Sequence, residues 1–306
     1  MPKIDVQTSS FPKRLKLGSS VVLNPTWDDI LWAALTIGRP NIHYVFQYGE
    51  PSLYEALFRI SMVRMAIEQA LPSISHTLRR TDAFNAMDPT EKGAVNYFLG
   101  MVFCKVFSSK KLDTPWLLHL DAFASQLSVK FRRGRSRPDL VGVDATGARW
   151  SVFECKGRAS APLPVDRTSA KNQARRVRSV DGKRCSLRVA AFTYYSGNTL
   201  RMVCDDPDEG EHGEDLRTGD EQWKAYFAPA LGFFEGQSLL ASAARRGVDV
   251  EIAIHPSILA VLREGHWLTA HRLCLKMRAE LVETGYRADG LRLKAGRSWT
   301  EKLALE

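Results

Sequence analysis

Two short apolar runs, residues 140–143 and 150–153, flank a spacer that carries Thr146-Gly147. Runs of this length bounded by a turn signal read as the arms of a β-hairpin. Placing Thr146 and Gly147 at the tip sets the register. Paired residue numbers then sum to 293, so Val143 faces Trp150, Val141 faces Val152 and Asp139 faces Glu154. Directly opposed residues share a side of the sheet, with Cβ atoms about 5 Å apart, and residues two apart on one strand share it as well. Asp139, Glu154 and Lys156 are therefore expected on one face; a bulge or a longer turn would shift the pairing.

The hairpin is otherwise apolar on both faces, with Val141, Val143, Trp150 and Val152 on one side and Leu140 and Phe153 on the other. Strands of that kind are buried between layers. Two carboxylates placed together there repel, and one has its pKa raised unless a cation sits between them. A divalent cation removes the conflict, and Mg²⁺ suits two carboxylates and a backbone carbonyl. Pro138, before the Asp, is tolerated at the start of a strand but not inside one.

Positive charge concentrates around this hairpin. Residues 130–184 hold fifteen Lys/Arg against five acids, a net +10 that exceeds the +9 of the whole chain. Local positive charge is what phosphate binding requires. Arg132, Arg133, Arg135, Arg137 and Arg158 lie near the ends of the hairpin. They are candidates to hold backbone phosphates, contacts that position a nucleic acid without reading its sequence.

The rest of the chain narrows the class. At 306 residues and 44% hydrophobic it is long enough to bury a core and reads as globular. The N-terminus has no apolar run of the secretory type, and no stretch of about 18 apolar residues suggests a membrane span. The five cysteines (Cys104, Cys155, Cys185, Cys204, Cys274) include no C-x-x-C pair. That excludes a disulfide framework or zinc finger and points to a reducing, cytoplasmic compartment. There is no P-loop and hence no basis for ATP hydrolysis. The histidines form no metal-binding spacing; His119 and His255 read as hydrogen-bonded core residues.

Residues 1–23 read as a basic, extended or partly ordered arm, and 24–115 as a helical region. Thr26-Trp-Asp-Asp29 and Asp88-Pro-Thr-Glu91 resemble capping boxes. From Pro51, apolar residues recur with the helical period at 53, 56, 57, 60, 63, 67, 70 and 71. Residues 116–204 form an α/β core with strands expected at 127–131, 140–143, 150–153, 187–192 and 199–203, and a helix at 168–179. Residues 205–221, with nine carboxylates, read as a solvated acidic loop. Residues 222–306 read as mainly helical, with strands at 248–254 and within 290–299.

Pro138-Asp139 followed by Glu154-Cys155-Lys156 resembles the PD-(D/E)xK, or restriction-endonuclease-like, nuclease superfamily. The resemblance covers the middle third of the chain, and the order helix, hairpin, helix, strand fits it. It implies a central mixed sheet flanked by helices. Asp139, Glu154 and the main-chain carbonyl of Cys155 would hold Mg²⁺, with Mn²⁺ able to substitute, and Lys156 would be the catalytic lysine. It also implies a polar residue on the helix after the lysine strand, for which Gln173 is the candidate with Lys171 nearby; Arg175 and Arg176 extend the basic face. The acid that many members carry on a preceding helix is less clear. Glu91 is the nearest, although capping is the plainer role for it, and Glu55 is weaker. The expected activity is metal-dependent hydrolysis of nucleic acid, DNA before RNA, in defence, repair or mobile-element processing. A protein partner or homodimer is compatible with this. The alternative is a nuclease-like subunit that grips nucleic acid or docks a partner without cutting.

Overall fold

A computed structural model describes residues 1–37, 51–70, 76–128, 136–206, 213–238 and 248–300. In chain order the first half contains β1 (Ile4–Ser9), β2 (Ser20–Leu23), α1 (Trp27–Thr36), α2 (Pro51–Ala66), β3 (Ile67–Gln69), β4 (Leu78–Arg80), α3 (Asp82–Ala86), α4 (Pro89–Lys111) and β5 (Trp116–His119). There follow β6 (Leu140–Val143), β7 (Trp150–Arg158), α5 (Pro164–Ala174), β8 (Val177–Val180), β9 (Lys183–Arg184), β10 (Leu187–Ser196), β11 (Thr199–Asp205) and β12 (Glu214–Leu216). The chain then adds α6 (Asp220–Gly236), β13 (Val250–Ile254), α7 (Pro256–Arg263), α8 (Trp267–Lys276), α9 (Arg278–Glu283) and β14 (Leu291–Ala295).

Among the described residues a nine-stranded mixed sheet runs β2-β1-β11-β10-β7-β6-β5, with β4 attached to β11 and β3 to β4. β5, β6 and β7 form an antiparallel meander. After α5 the chain returns in β10, parallel to β7. The hairpin register is the one read from the sequence: Val141 pairs with Val152 and Val143 with Trp150. Asp144 builds the connecting loop, where its carboxylate accepts from Thr146 Oγ1 and from the backbone N–H groups of Ala148 and Arg149. Gly147 takes the positive φ of 72° that the tip requires.

α4 and α5 cover opposite faces of β7. α4 is entered through the expected capping box, in which Asp88 accepts from the Thr90 and Glu91 N–H groups. It presses on the sheet so closely that a Cβ on Gly157 would lie 1.6 Å from the Asn96 carbonyl oxygen, and one on Gly100 2.6 Å from the Gly157 nitrogen. α5 buries Ala170 and Ala174. Ala170 packs with Ala190, Phe192, Tyr194 and Val203 in a small core apart from the main one.

Several expectations need correction. Residues 1–23 are not an arm: β1 lies inside the sheet, parallel to β11, with Ile4 and Val6 fully buried. The helical region also contains β3 and β4, and the meander begins with β5, which was not anticipated. Leu127 and Ser128 are not in a strand, and the remainder of the expected strand, 129–135, lies outside the described residues. The crossover helix is Pro164–Ala174, because Pro164 supplies its first turn and strand β8 begins at Val177. The acidic stretch contributes Asp205 to β11 and Glu214–Leu216 to β12, which pairs with β8 in a three-stranded sheet; residues 207–212 lie outside the described residues.

The C-terminal region is tied to the core through buried polar contacts. Lys105 of α4, wholly buried, donates to the Thr36 carbonyl at 2.6 Å and to Tyr226 Oη at 3.1 Å. Tyr226 and Trp32 both donate to Asp289 Oδ2, at 2.7 and 2.6 Å. No described helix is long and apolar enough to cross a membrane.

Candidate metal centre and its surroundings

The β7 strand runs beyond the end of its pairing with β6, and the polar side chains gather there. Register with β10 places Glu154 beside Ala190 and Lys156 beside Phe192. By strand alternation both side chains point to the α5 face, while Cys155 turns to α4 and contacts Cys104. Asp139 sits immediately before β6, with its backbone N–H bonded to the Phe153 carbonyl at 3.2 Å. One of its carboxylate oxygens accepts the Cys155 N–H at 2.8 Å, and the other accepts from Tyr97 Oη at 3.4 Å. In an extended strand the N–H and C=O of one residue point to the same side, so the Cys155 carbonyl also faces the Asp139 side.

Glu154 is fully buried. It forms an ion pair with Lys156 Nζ, and Lys156 and the Asp139 backbone both favour its charged form, although neither contact has ideal hydrogen-bond geometry. Lys156, partly exposed, also donates to Gln173 Oε1 at 3.2 Å, which joins α5 to the group. Burial, and then the neighbouring Asp139 charge, push the Glu154 carboxyl up to about 8, against the pull of Lys156. Burial also raises Asp139, opposed by the Cys155 N–H and Lys156. Burial acts to lower Lys156, but Glu154 and Asp139 outweigh it and hold the ammonium above its ordinary range.

These groups fit a divalent cation. A buried carboxylate beside a second one is costly as an anion, and the oxygens present are hard ligands of the kind Mg²⁺ takes. Among the described residues no cluster of three His, Cys, Asp or Glu side chains completes such a site. A cation there would fill its shell from the Cys155 carbonyl and water.

The other candidates are distributed as follows. Glu91 is exposed and reaches back to the Asp88 N–H at 3.4 Å in the capping box. Glu55 pairs with Arg59 at 2.7 Å. Arg137 is paired with Asp121, and Arg158 with Asp166 at 2.8 Å. Lys171 lies 3.8 Å from Asp205, which Arg167 also grips. Arg175 donates to Asn172 at 3.2 Å and Arg176 is exposed. Arg132, Arg133 and Arg135 lie outside the described residues. His119 is a buried residue whose Nδ1 accepts the Asp121 N–H at 3.2 Å, and burial lowers its pKa to about 3, so it stays neutral. His255 precedes α7 and packs edge-on against Tyr286.

Tyr97 was not anticipated. It lies on the exposed side of α4, and only the close approach at Gly100 and Gly157 brings its hydroxyl to Asp139. The glycine in Glu154-Cys155-Lys156-Gly157 was the available signal. Comparison with protein-family models, with curated proteins and with solved structures found no match to this chain.

Proposed function

We propose that this protein is a metal-dependent nuclease with a restriction-endonuclease-like core, hydrolysing phosphodiester bonds of nucleic acid, DNA before RNA. The observation that carries the reading is the buried carboxylate of Glu154 beside Asp139, with Lys156 and Gln173 on the same face. The order α4, meander β5-β6-β7, α5, parallel β10 supports it, since it agrees with the expected helix, hairpin, helix, strand.

Asp139, Glu154 and the Cys155 carbonyl would hold Mg²⁺ or Mn²⁺, which supplies a Lewis acid for the phosphate and acidifies a water. Lys156, held between Glu154 and Gln173 but reachable from solvent, places a positive charge where the attacked phosphate gains negative charge. Gln173 keeps the ammonium aimed, and Tyr97 with the Cys155 N–H keeps the Asp139 carboxylate aimed. Water attacks phosphorus and releases one proton to solvent, the P–O bond to the leaving oxygen breaks, and that oxygen takes a proton from solvent.

The test is incubation of plasmid, single-stranded DNA and RNA with Mg²⁺ or with EDTA. Cleavage requiring Mg²⁺ and lost in a folded Lys156→Ala chain is the expected result. Full cleavage by that chain removes the assignment.

A further inference from the structure

From Asp220 onward the chain runs α6, β13, α7, α8, α9, β14, and β13 closes on β14 as an antiparallel pair. Between α7 and α8 lie Glu264, Gly265 and His266. Gly265 takes a φ of 78°; its N–H bonds the Leu262 carbonyl at 3.0 Å, and the His266 N–H bonds the Val261 carbonyl at 3.1 Å. These two bonds form a Schellman ending, which stops α7 and redirects the chain at once. Asp220 of α6 then accepts the Leu268 N–H at 2.7 Å in the first turn of α8. Two short helices joined by a three-residue turn holding a glycine, braced by a third helix, make a helix-turn-helix arrangement.

α8 is two-sided. Trp267, Ala270, His271 and Cys274 are buried, and His271 stacks on Trp223 of α6 with ring centroids 3.6 Å apart. Thr269, Arg272 and Lys276 are exposed. Spacings of three and four put them on one stripe, opposite the buried one. α8 contains no acid, and among the described residues neither Arg272 nor Lys276 has an ion-pair partner. Glu264, in the turn, lies 3.9 Å from His266. A cationic stripe on a helix is commonly only solvated. This one lies on the second helix of the pair, the helix that such an arrangement presents to a groove. The stripe is about 10 Å long, and a helix about 10–12 Å across fills the ~12 Å major groove of B-form DNA.

We infer that α7 and α8 are a docking unit for duplex DNA, with α8 laid in the major groove and Arg272 and Lys276 on the phosphates that border it. A convex helix face suits a groove, and the stripe carries no aromatic ring on which unpaired bases would stack. The major groove of A-form RNA is too narrow to admit it. That docking delivers a bond to the Glu154 centre rests on the nuclease reading; the unit and its face do not.

The test uses the full chain carrying Lys156→Ala, so that binding is measured without cleavage, on a fluorescent duplex of about 30 base pairs and on one of its strands alone, across a salt series. Adding Arg272→Ala with Lys276→Ala is expected to weaken duplex binding about tenfold and to reduce the slope of log K against log salt by about 2, with a smaller effect on the single strand. Should the double variant fail to fold, Lys276→Ala alone is expected to reduce the slope by about 1. Methyl green, which occupies the major groove, should displace the chain, and netropsin, which occupies the minor groove, should not. Unchanged affinity and slope in the folded variants overturn the inference, as do equal losses on duplex and single strand, displacement by netropsin alone, or a Lys156→Ala chain that binds no duplex. Cleavage by the wild-type chain separates the two claims. A cutting enzyme whose duplex binding ignores Arg272 and Lys276 loses only this docking face, and an inert protein whose α8 variants release the duplex loses only the nuclease reading.

Discussion

Replacing Glu154 by Gln tests the electrostatics of the centre without touching any substrate. The native carboxyl titrates near 8 against an ordinary 4.5, first because it is buried and second because Asp139 lies beside it. Between those values the native state binds more protons than the unfolded chain, so stability falls as pH rises. Each pH unit in that window costs about 1.4 kcal/mol. Ionising Glu154 therefore removes about 4 kcal/mol between pH 5 and pH 8.5 in metal-free protein. The amide has nearly the same shape and no charge to desolvate. The stability of Glu154→Gln relative to wild type should rise by about that amount over the same range, measured by urea denaturation at both pH values in EDTA. Groups that do not interact with Glu154 titrate in both proteins and cancel in the difference. A difference between the two proteins that stays constant within about 1 kcal/mol across the range refutes the strained-carboxylate argument.

Tyr97→Phe removes the hydroxyl that meets Asp139 and leaves the ring. It should slow cleavage about tenfold at unchanged thermal stability, whereas a loss confined to stability would deny Tyr97 its positioning role. Gly157→Ala forces a Cβ against the α4 backbone at Asn96, with an expected loss of about 3 kcal/mol by urea denaturation; a neutral result means that α4 is not packed there. Lys105→Ala deletes the contacts to Thr36 and Tyr226 and opens a cavity, for an expected loss of about 3–5 kcal/mol. Gln173→Ala should lower the rate of cleavage with little change in KM, as expected of a residue that aims Lys156.

What the sequence revealed was local. Thr146-Gly147 set the hairpin register because a two-residue period leaves no freedom once a turn and an apolar face are given. The capping boxes at Thr26 and Asp88 form as written because their hydrogen bonds close within three residues. What escaped was distant or too short. β1 alternates buried Ile4 and Val6 with exposed Asp5 and Gln7, a strand pattern, but its parallel partner β11 lies almost two hundred residues away. β5 is four buried residues, Trp-Leu-Leu-His, too few to distinguish a strand from the end of a helix. β8 and β9 hold exposed arginines and, among the described residues, pair with each other and with β12, so no apolar alternation announced them. Tyr97 reaches the centre through a helix–strand contact at two glycines, which period and composition do not encode.

The central claim concerns one ion and two carboxylates, and a Mn²⁺ titration followed by electron paramagnetic resonance near neutral pH addresses it most directly. The wild-type chain should take up Mn²⁺ at a site whose affinity drops at least tenfold in folded Asp139→Asn and in folded Glu154→Gln. Binding that persists unchanged in Glu154→Gln, or a wild-type chain that takes up no ion, contradicts the account.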